Sequence, residues 1–151
     1  SAIAINPAGT FAYVVNTSLA QVAMFSINAG TGLLTALAPA TISTGAITAE
    51  PVAIAINPAG TFLYVVNQDA NNVAMYSIDA GTGQLTALGT PTIATGNSPQ
   101  GISINSAGTF AYVTNRLSDT VSMYSIPNSG ILAPLSTPTV PSNSPRGISS
   151  K

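Results

Sequence analysis

The sequence predicts an all-β fold, a β-propeller made of four-stranded antiparallel blades, and three observations support this prediction. One stretch recurs three times, as AIAINPAGTFAYVVN at 2–16, AIAINPAGTFLYVVN at 53–67 and GISINSAGTFAYVTN at 101–115. Each repeat divides into four short segments, rich in apolar and β-branched residues, that turn sequences separate. Apolar residues occupy both faces of these segments, so neighbouring sheets must cover each sheet on both sides.

The second repeat shows the order of its elements most clearly. Pro58 presets the backbone of the first turn and Gly60 supplies a positive φ there, while Pro91 favours an outer edge position for the last strand. The pattern predicts a first strand at 51–57, a turn at 57–61, a second strand at 62–66, a third strand at 73–78, a hairpin loop at 79–83 and a fourth strand from 85 to about 93.

Three such blades account for nearly the whole chain, with predicted boundaries at 2–50, 51–98 and 99–144 and the start of a further blade at 145–151. Propellers usually close with four to eight blades, so we expect an incomplete ring with two uncovered apolar faces. We predict that the remaining blades of a longer chain, or further copies of this chain, cover those faces. Isoleucines of the first strands are expected to pack between blades, at positions 3, 5, 54, 56, 102 and 104.

Composition restricts the possible functions. Charged residues make up 5% of the chain and the net charge is −1, so the sequence predicts no nucleic-acid partner. No apolar run approaches the roughly 18 residues that span a bilayer. The chain has neither Cys nor His, which excludes thiolate and imidazole metal sites and the Ser/His/Asp and Cys/His catalytic sets, and we predict no cofactor. A Cys-free surface rich in Ser, Thr and Asn favours an extracellular or cell-envelope location.

The segments Tyr13-Val14-Val15-Asn16, Tyr64-Val65-Val66-Asn67 and Tyr112-Val113-Thr114-Asn115 resemble the YVTN motif of YVTN-repeat β-propellers. The fuller text, from NPAGTF through YVVN and VAMYSI to GTGQL and SPQGI, is similar to the lactonase-type, 6-phosphogluconolactonase-like propellers. The resemblance covers the whole chain and implies a full ring of about seven blades. It also implies an enzyme in which acidic residues, Arg and His act around the channel mouth, and this sequence offers no His. The three tyrosines are expected to be structural, with hydroxyl groups bonded between blades.

Charged side chains collect at one end of the predicted blades. Antiparallel order brings two sets of loops to this end, those between second and third strands and those before each first strand, and we call it the charged end. These loops differ most between repeats. Because variable loops on a rigid scaffold carry function, we predict a ligand or partner face formed by Glu50, Asp69, Arg116, Asp119 and Arg146. Asn16-Thr17-Ser18 matches the N-glycosylation pattern at Asn16.

Three functions remain open on this basis. The absence of His and Cys favours a non-catalytic extracellular or cell-envelope scaffold for binding or self-assembly, with no catalytic residue in this chain. One alternative is part of a lactonase-like hydrolase acting on a sugar lactone, with catalytic residues in blades outside this chain. The other is a filament-forming or engineered repeat unit.

Overall fold

The structure is a computed structural model that describes residues 1–142. Within them, three four-stranded antiparallel sheets and no α-helix confirm the predicted all-β propeller fold. The strands are β1 Ile3–Ile5, β2 Phe11–Asn16, β3 Gln21–Ile27 and β4 Leu34–Ser43 in blade 1; β5 Pro51–Ile56, β6 Phe62–Asn67, β7 Asn72–Ile78 and β8 Leu85–Ala94 in blade 2; and β9 Pro99–Ile104, β10 Phe110–Asn115, β11 Thr120–Ser125 and β12 Ala133–Pro141 in blade 3.

The repeated NPAGTF text forms the predicted turn between the first two strands of a blade. The Asn57 side-chain oxygen accepts hydrogen bonds from the backbone amides of Thr61 at 2.9 Å and Phe62 at 2.8 Å. Asn6 and Asn105 make the same bonds in the other blades. One short polar side chain therefore closes each turn and sets the register of the two strands that the turn connects.

The blades are arranged around a common axis. Strands β1, β5 and β9 lie at one edge of their sheets and contact one another in succession, so they form the inner wall. Strands β4, β8 and β12 lie at the opposite, outer edge, as Pro91 in β8 predicted. Among residues 1–142, no helix is long and apolar enough to cross a bilayer.

The core lies between blades. Ile54 and Ile56 pack against a buried cluster shared by blades 1 and 2, and Ile102 and Ile104 pack against its counterpart between blades 2 and 3. These four isoleucines therefore lie where the sequence predicted them.

The corresponding isoleucines of blade 1 lie on the face of that blade that no described blade covers. Ile3 is 60% exposed and Ile5 is 56% exposed. The cover of such faces by further blades or by further copies of the chain stays a prediction. Light scattering tests cover by further copies, because a mass of one chain would contradict it. The predicted start of a further blade at 145–151 lies outside the described residues.

Blades 1 and 2 each dock on a hairpin glycine of the blade that follows. Phe11 of blade 1 lies against Gly83 of blade 2, where a Cβ atom would come within 2.3 Å of its ring. The Tyr13 hydroxyl donates a hydrogen bond to the Gly83 carbonyl at 2.8 Å. Phe62 and Tyr64 of blade 2 repeat both contacts on Gly130, with a Tyr64 hydrogen bond of 2.9 Å. Burial raises the pKa of Tyr13 to about 12, so its hydroxyl remains a donor at neutral pH.

We expect Gly83→Ala to destabilise the fold more than Gly32→Ala does. Both glycines have a φ of +71°, so both substitutions cost the left-handed backbone strain of about 1–2 kcal/mol. Only the Gly83 methyl meets the Phe11 ring; no described atom lies within 4 Å of the Gly32 position. The clash should add about 1–3 kcal/mol to the loss of unfolding free energy, measured by urea titration. Equal losses for the two variants would contradict this account of the docking contact.

Candidate functional site

Backbone hydrogen bonds hold the loops of the charged end together. The Gln68 amide donates to the Glu50 carbonyl at 2.9 Å, and the Arg116 amide donates to the Ser98 carbonyl at 3.0 Å. Each bond ties the loop after a second strand to the loop before the first strand of the same blade. The side chains that follow therefore project from fixed backbone positions rather than from free loop tips.

Glu50 has a left-handed backbone, with a φ of 52°. Ser98, the equivalent residue of the next blade, has nearly the same φ of 53°. This conformation therefore belongs to the repeat, which turns sharply before each first strand, and it is not particular to Glu50.

The structure brings Glu50 and Asp69 together, two residues that the sequence placed only at the same end. The charge of Asp69 raises the pKa of the Glu50 carboxyl above its ordinary value, and a side-chain hydrogen bond between the two groups acts in the same direction. Glu50 therefore holds its proton to a higher pH than an isolated carboxylic acid does.

Two glutamines extend this pair, and the sequence analysis missed both. The Gln68 side-chain amide donates to a Glu50 carboxylate oxygen at 3.3 Å. Gln100, on the inner strand of blade 3, donates to the Gln68 side-chain oxygen through a long contact of 3.5 Å. The only available signal was the change of residue between repeats at these positions, which does not distinguish a positioning role from drift.

Two neighbouring clefts open at the charged end. The first cleft has a volume of about 310 Å³ and is lined by Thr17, Ser18, Ile47, Thr48, Glu50 and Asp69. The second cleft has a volume of about 390 Å³ and is lined by Gln68, Asp69, Asn71, Asn97, Ser98, Arg116 and Leu117. Asp69 lines both, so it connects the cleft that Glu50 lines to the cleft that Arg116 lines.

The remaining predicted residues lie apart from these clefts or outside the described part of the chain. Asp119 is exposed and lines neither cleft, while its carbonyl accepts a hydrogen bond from the Ser142 amide at 2.7 Å. Arg146 falls outside the described residues. Asn16 is exposed, and its side-chain oxygen accepts a hydrogen bond from the Leu19 amide at 3.3 Å. Glycosylation at Asn16 stays a prediction. The role of the charged end as a ligand or partner face also stays a prediction. In residues 1–142, no three His, Cys, Asp or Glu side chains come close enough to hold a metal ion.

A family model described as a lactonase, seven-bladed β-propeller, matches this chain over residues 1–98 and 90–150. The chain belongs to this family. A 6-phosphogluconolactonase from Formosa agariphila is 33% identical over 98 residues, which are 64% of this chain and 27% of that protein. The family membership confirms the resemblance that the repeated YVVN and GTGQL segments carried.

Solved structures agree with this assignment. The periplasmic gluconolactonase of Pseudomonas aeruginosa superposes with a TM-score of 0.81 at 26% identity, covering 95% of this chain and 40% of that one. A protein of Bacteroides fragilis named as a candidate 6-phosphogluconolactonase gives a TM-score of 0.88 at 23% identity over 97% of this chain and 40% of its own, which shows the fold. This chain thus spans 27–40% of the length of these proteins.

The prediction of a non-catalytic scaffold is wrong. Relatives in sequence and structure carry the names 6-phosphogluconolactonase and gluconolactonase, which favour the lactone-hydrolysing alternative. The error came from the weight given to the missing His. Carboxylates with a raised pKa also serve as general bases, and the pairing that raises the pKa of Glu50 is a feature of the folded chain. The predicted extracellular or cell-envelope location stays a prediction.

We expect Asp69→Asn to lower the pKa of Glu50 towards its ordinary value, because the substitution removes the neighbouring charge that raises it. A pH titration of the Glu50 side-chain carboxyl carbon by NMR measures the change. In the native protein the free energy of unfolding should fall as pH rises from the pKa of Glu50 in the unfolded chain to its raised pKa in the folded chain. The Asp69→Asn variant should lose this pH-dependent part of the stability. Asp119→Asn, in the equivalent loop of blade 3, is the matched control. An unchanged pKa of Glu50 in the Asp69→Asn variant would contradict the contact between the two carboxyl groups.

Proposed function

We propose that this chain forms part of a hydrolase that opens a sugar lactone, with its charged end contributing to the active site. One observation carries the proposal: Glu50 and Asp69 line one cleft together, and Asp69 also lines the neighbouring cleft with Arg116. Ring opening of a lactone needs a base for water and a positive group for the carbonyl oxygen. The names of the relatives support the same chemistry.

Glu50 is the general base in this proposal. A base works best when the pKa of its conjugate acid approaches the working pH, and the charge of Asp69 raises the pKa of Glu50 in that direction. Gln68, which donates to a Glu50 oxygen at 3.3 Å, restricts the orientation of that carboxylate. Asp69 acts through Glu50 and is a positioning residue.

Arg116 is the electrophilic group. In this proposal the lactone lies over Asp69, where the two clefts meet, so that Glu50 reaches it from the first cleft and Arg116 from the second. Water attacks the lactone carbonyl carbon while Glu50 takes one of its protons, and the carbonyl oxygen gains a negative charge that the guanidinium stabilises. The tetrahedral intermediate then collapses, the bond between the carbonyl carbon and the ring oxygen breaks, and protonated Glu50 returns the proton to the ring oxygen. One lactone and one water give one hydroxy acid, and Glu50 ends as it began.

We expect Glu50→Gln to lower kcat/KM for glucono-1,5-lactone by about a hundredfold or more, since it removes the base without changing the size of the side chain. Arg116→Ala should cost about a hundredfold through the lost charge stabilisation. A pH-indicator assay, corrected for spontaneous hydrolysis, measures both. The acid limb of the pH–rate profile should follow the Glu50 titration, and Asp69→Asn should shift that limb to lower pH.

Asp79→Asn is the matched control, because Asp79 lies at the opposite end of the blade and its carboxylate bonds only within its own turn. Its kcat/KM should equal that of the unsubstituted chain. Activity that survives Glu50→Gln, or that falls as far in Asp79→Asn, would remove the basis of the assignment.

A further inference from the structure

We propose that blades 1 and 2 enclose a binding site for one ordered water molecule, which donates a hydrogen bond to the Asn67 side-chain oxygen and bonds to the Thr44 hydroxyl. This inference does not depend on the proposed function. Three observations carry it: both side chains are buried, neither oxygen atom has a partner among the described residues, and the next blade boundary repeats the arrangement.

The orientation of the Asn67 amide group is fixed by its donor side. Asn67 is the last residue of β6 and the asparagine of the repeated YVVN segment, and its side chain is fully buried. Its amide nitrogen donates across the blade boundary to the Thr44 carbonyl at 2.9 Å, and within blade 2 to the Asn72 side-chain oxygen at 2.8 Å. Because the Thr44 carbonyl can only accept, the nitrogen must face it and the Asn67 oxygen must face the other way.

Two buried oxygen atoms at this boundary have no hydrogen-bond partner within the described part of the chain, the Oδ1 atom of Asn67 and the Oγ1 atom of Thr44. The bond from Asn67 to the Thr44 carbonyl places the two residues side by side. A buried oxygen without a hydrogen bond destabilises the fold, and internal water commonly supplies the missing bond in native proteins. The Asn67 oxygen can only accept and the Thr44 hydroxyl can donate or accept, so one water molecule suits both.

The boundary between blades 2 and 3 repeats this arrangement at Asn115, which occupies the position of Asn67 in the strand register. Asn115 is fully buried, and its amide nitrogen donates to the Thr120 hydroxyl at 3.1 Å and the Ser122 hydroxyl at 2.8 Å. Both hydroxyl groups lie on one half of the amide group, so the other half has no described partner whichever way the group is turned. An unpartnered amide atom at two equivalent positions is a property of the repeat.

The bound water completes the contact between blades 1 and 2. Tyr13 joins these blades at the hairpin end, through its hydrogen bond to the Gly83 carbonyl. Asn67 and Thr44 join them at the charged end. Asn67 pairs with Pro51, the residue that follows Glu50, so the water joins the two blades near the corner that carries the proposed base.

A crystal structure that resolves ordered water tests the site directly. We expect one peak of electron density within about 3.2 Å of both the Asn67 Oδ1 atom and the Thr44 Oγ1 atom. A structure with no water within that distance of either atom overturns the proposal. A structure in which protein groups pair with both atoms overturns it equally.

Thr44→Val and Thr44→Ser form a matched pair for a test in solution. Val keeps the shape of Thr and removes the hydroxyl group, whereas Ser keeps the hydroxyl group and removes a methyl group. If the hydroxyl group binds the water, Thr44→Val should lower the midpoint of urea unfolding further than Thr44→Ser does. A hydroxyl group buried without any partner gives the opposite order, because Val then removes an unsatisfied polar atom. A Thr44→Val midpoint equal to or above that of the unsubstituted chain therefore overturns the proposal.

Discussion

The packing of a Phe and a Tyr from one blade on a hairpin glycine of the next is the contact on which the rest of this structure depends. It occurs between blades 1 and 2 on Gly83 and between blades 2 and 3 on Gly130, with a buried tyrosine hydrogen bond in each case. A side chain at either glycine would occupy the space that the Phe ring of the preceding blade fills. A blade has no core of its own, because its apolar side chains meet those of its neighbours, so this contact converts three separate sheets into one body.

That docking also determines which residues share a cleft. Glu50 precedes the first strand of blade 2 and Asp69 follows its second strand, so the antiparallel pairing of Pro51 with Asn67 brings them to one end. The first cleft adds Thr17 and Ile47, which belong to blade 1. The Thr17 hydroxyl donates to the Pro51 carbonyl at 2.8 Å across the blade boundary. A change in the angle between blades would therefore open the first cleft before it disturbed the carboxylate pair.

The repeat made the fold predictable and left the site largely unpredicted. Four strands per blade, the turn at Asn57 and Pro58 and the interblade role of Tyr13 and Tyr64 all follow from residues that recur at a fixed period. The candidate site consists of residues that differ between repeats, and for these the sequence predicts only the end of the blade at which they lie. It could place Glu50 and Asp69 at one end. Their mutual contact depends on side-chain direction at two corners, one of them left-handed, and no pattern reports that.

The carboxylates at the two ends of blade 2 have opposite surroundings. Asp79 accepts hydrogen bonds from the Thr82 amide at 2.8 Å, the Thr82 hydroxyl at 2.9 Å and the Gly81 amide at 3.0 Å, and these lower the pKa of its carboxyl. Asn28 makes the two amide bonds equally well in blade 1, so the turn does not need the charge.

Glu50 is in the opposite situation. Its neighbour is another carboxyl group, which raises its pKa instead of lowering it, and the equivalent corner of the next blade carries Ser98. The corner itself is therefore compatible with a neutral side chain, and a carboxylate placed there is repelled by the charge of Asp69. In a chain with 5% charged residues, an unfavourable pair of this kind is hard to explain by folding, and the proposed role of Glu50 as a general base would account for it.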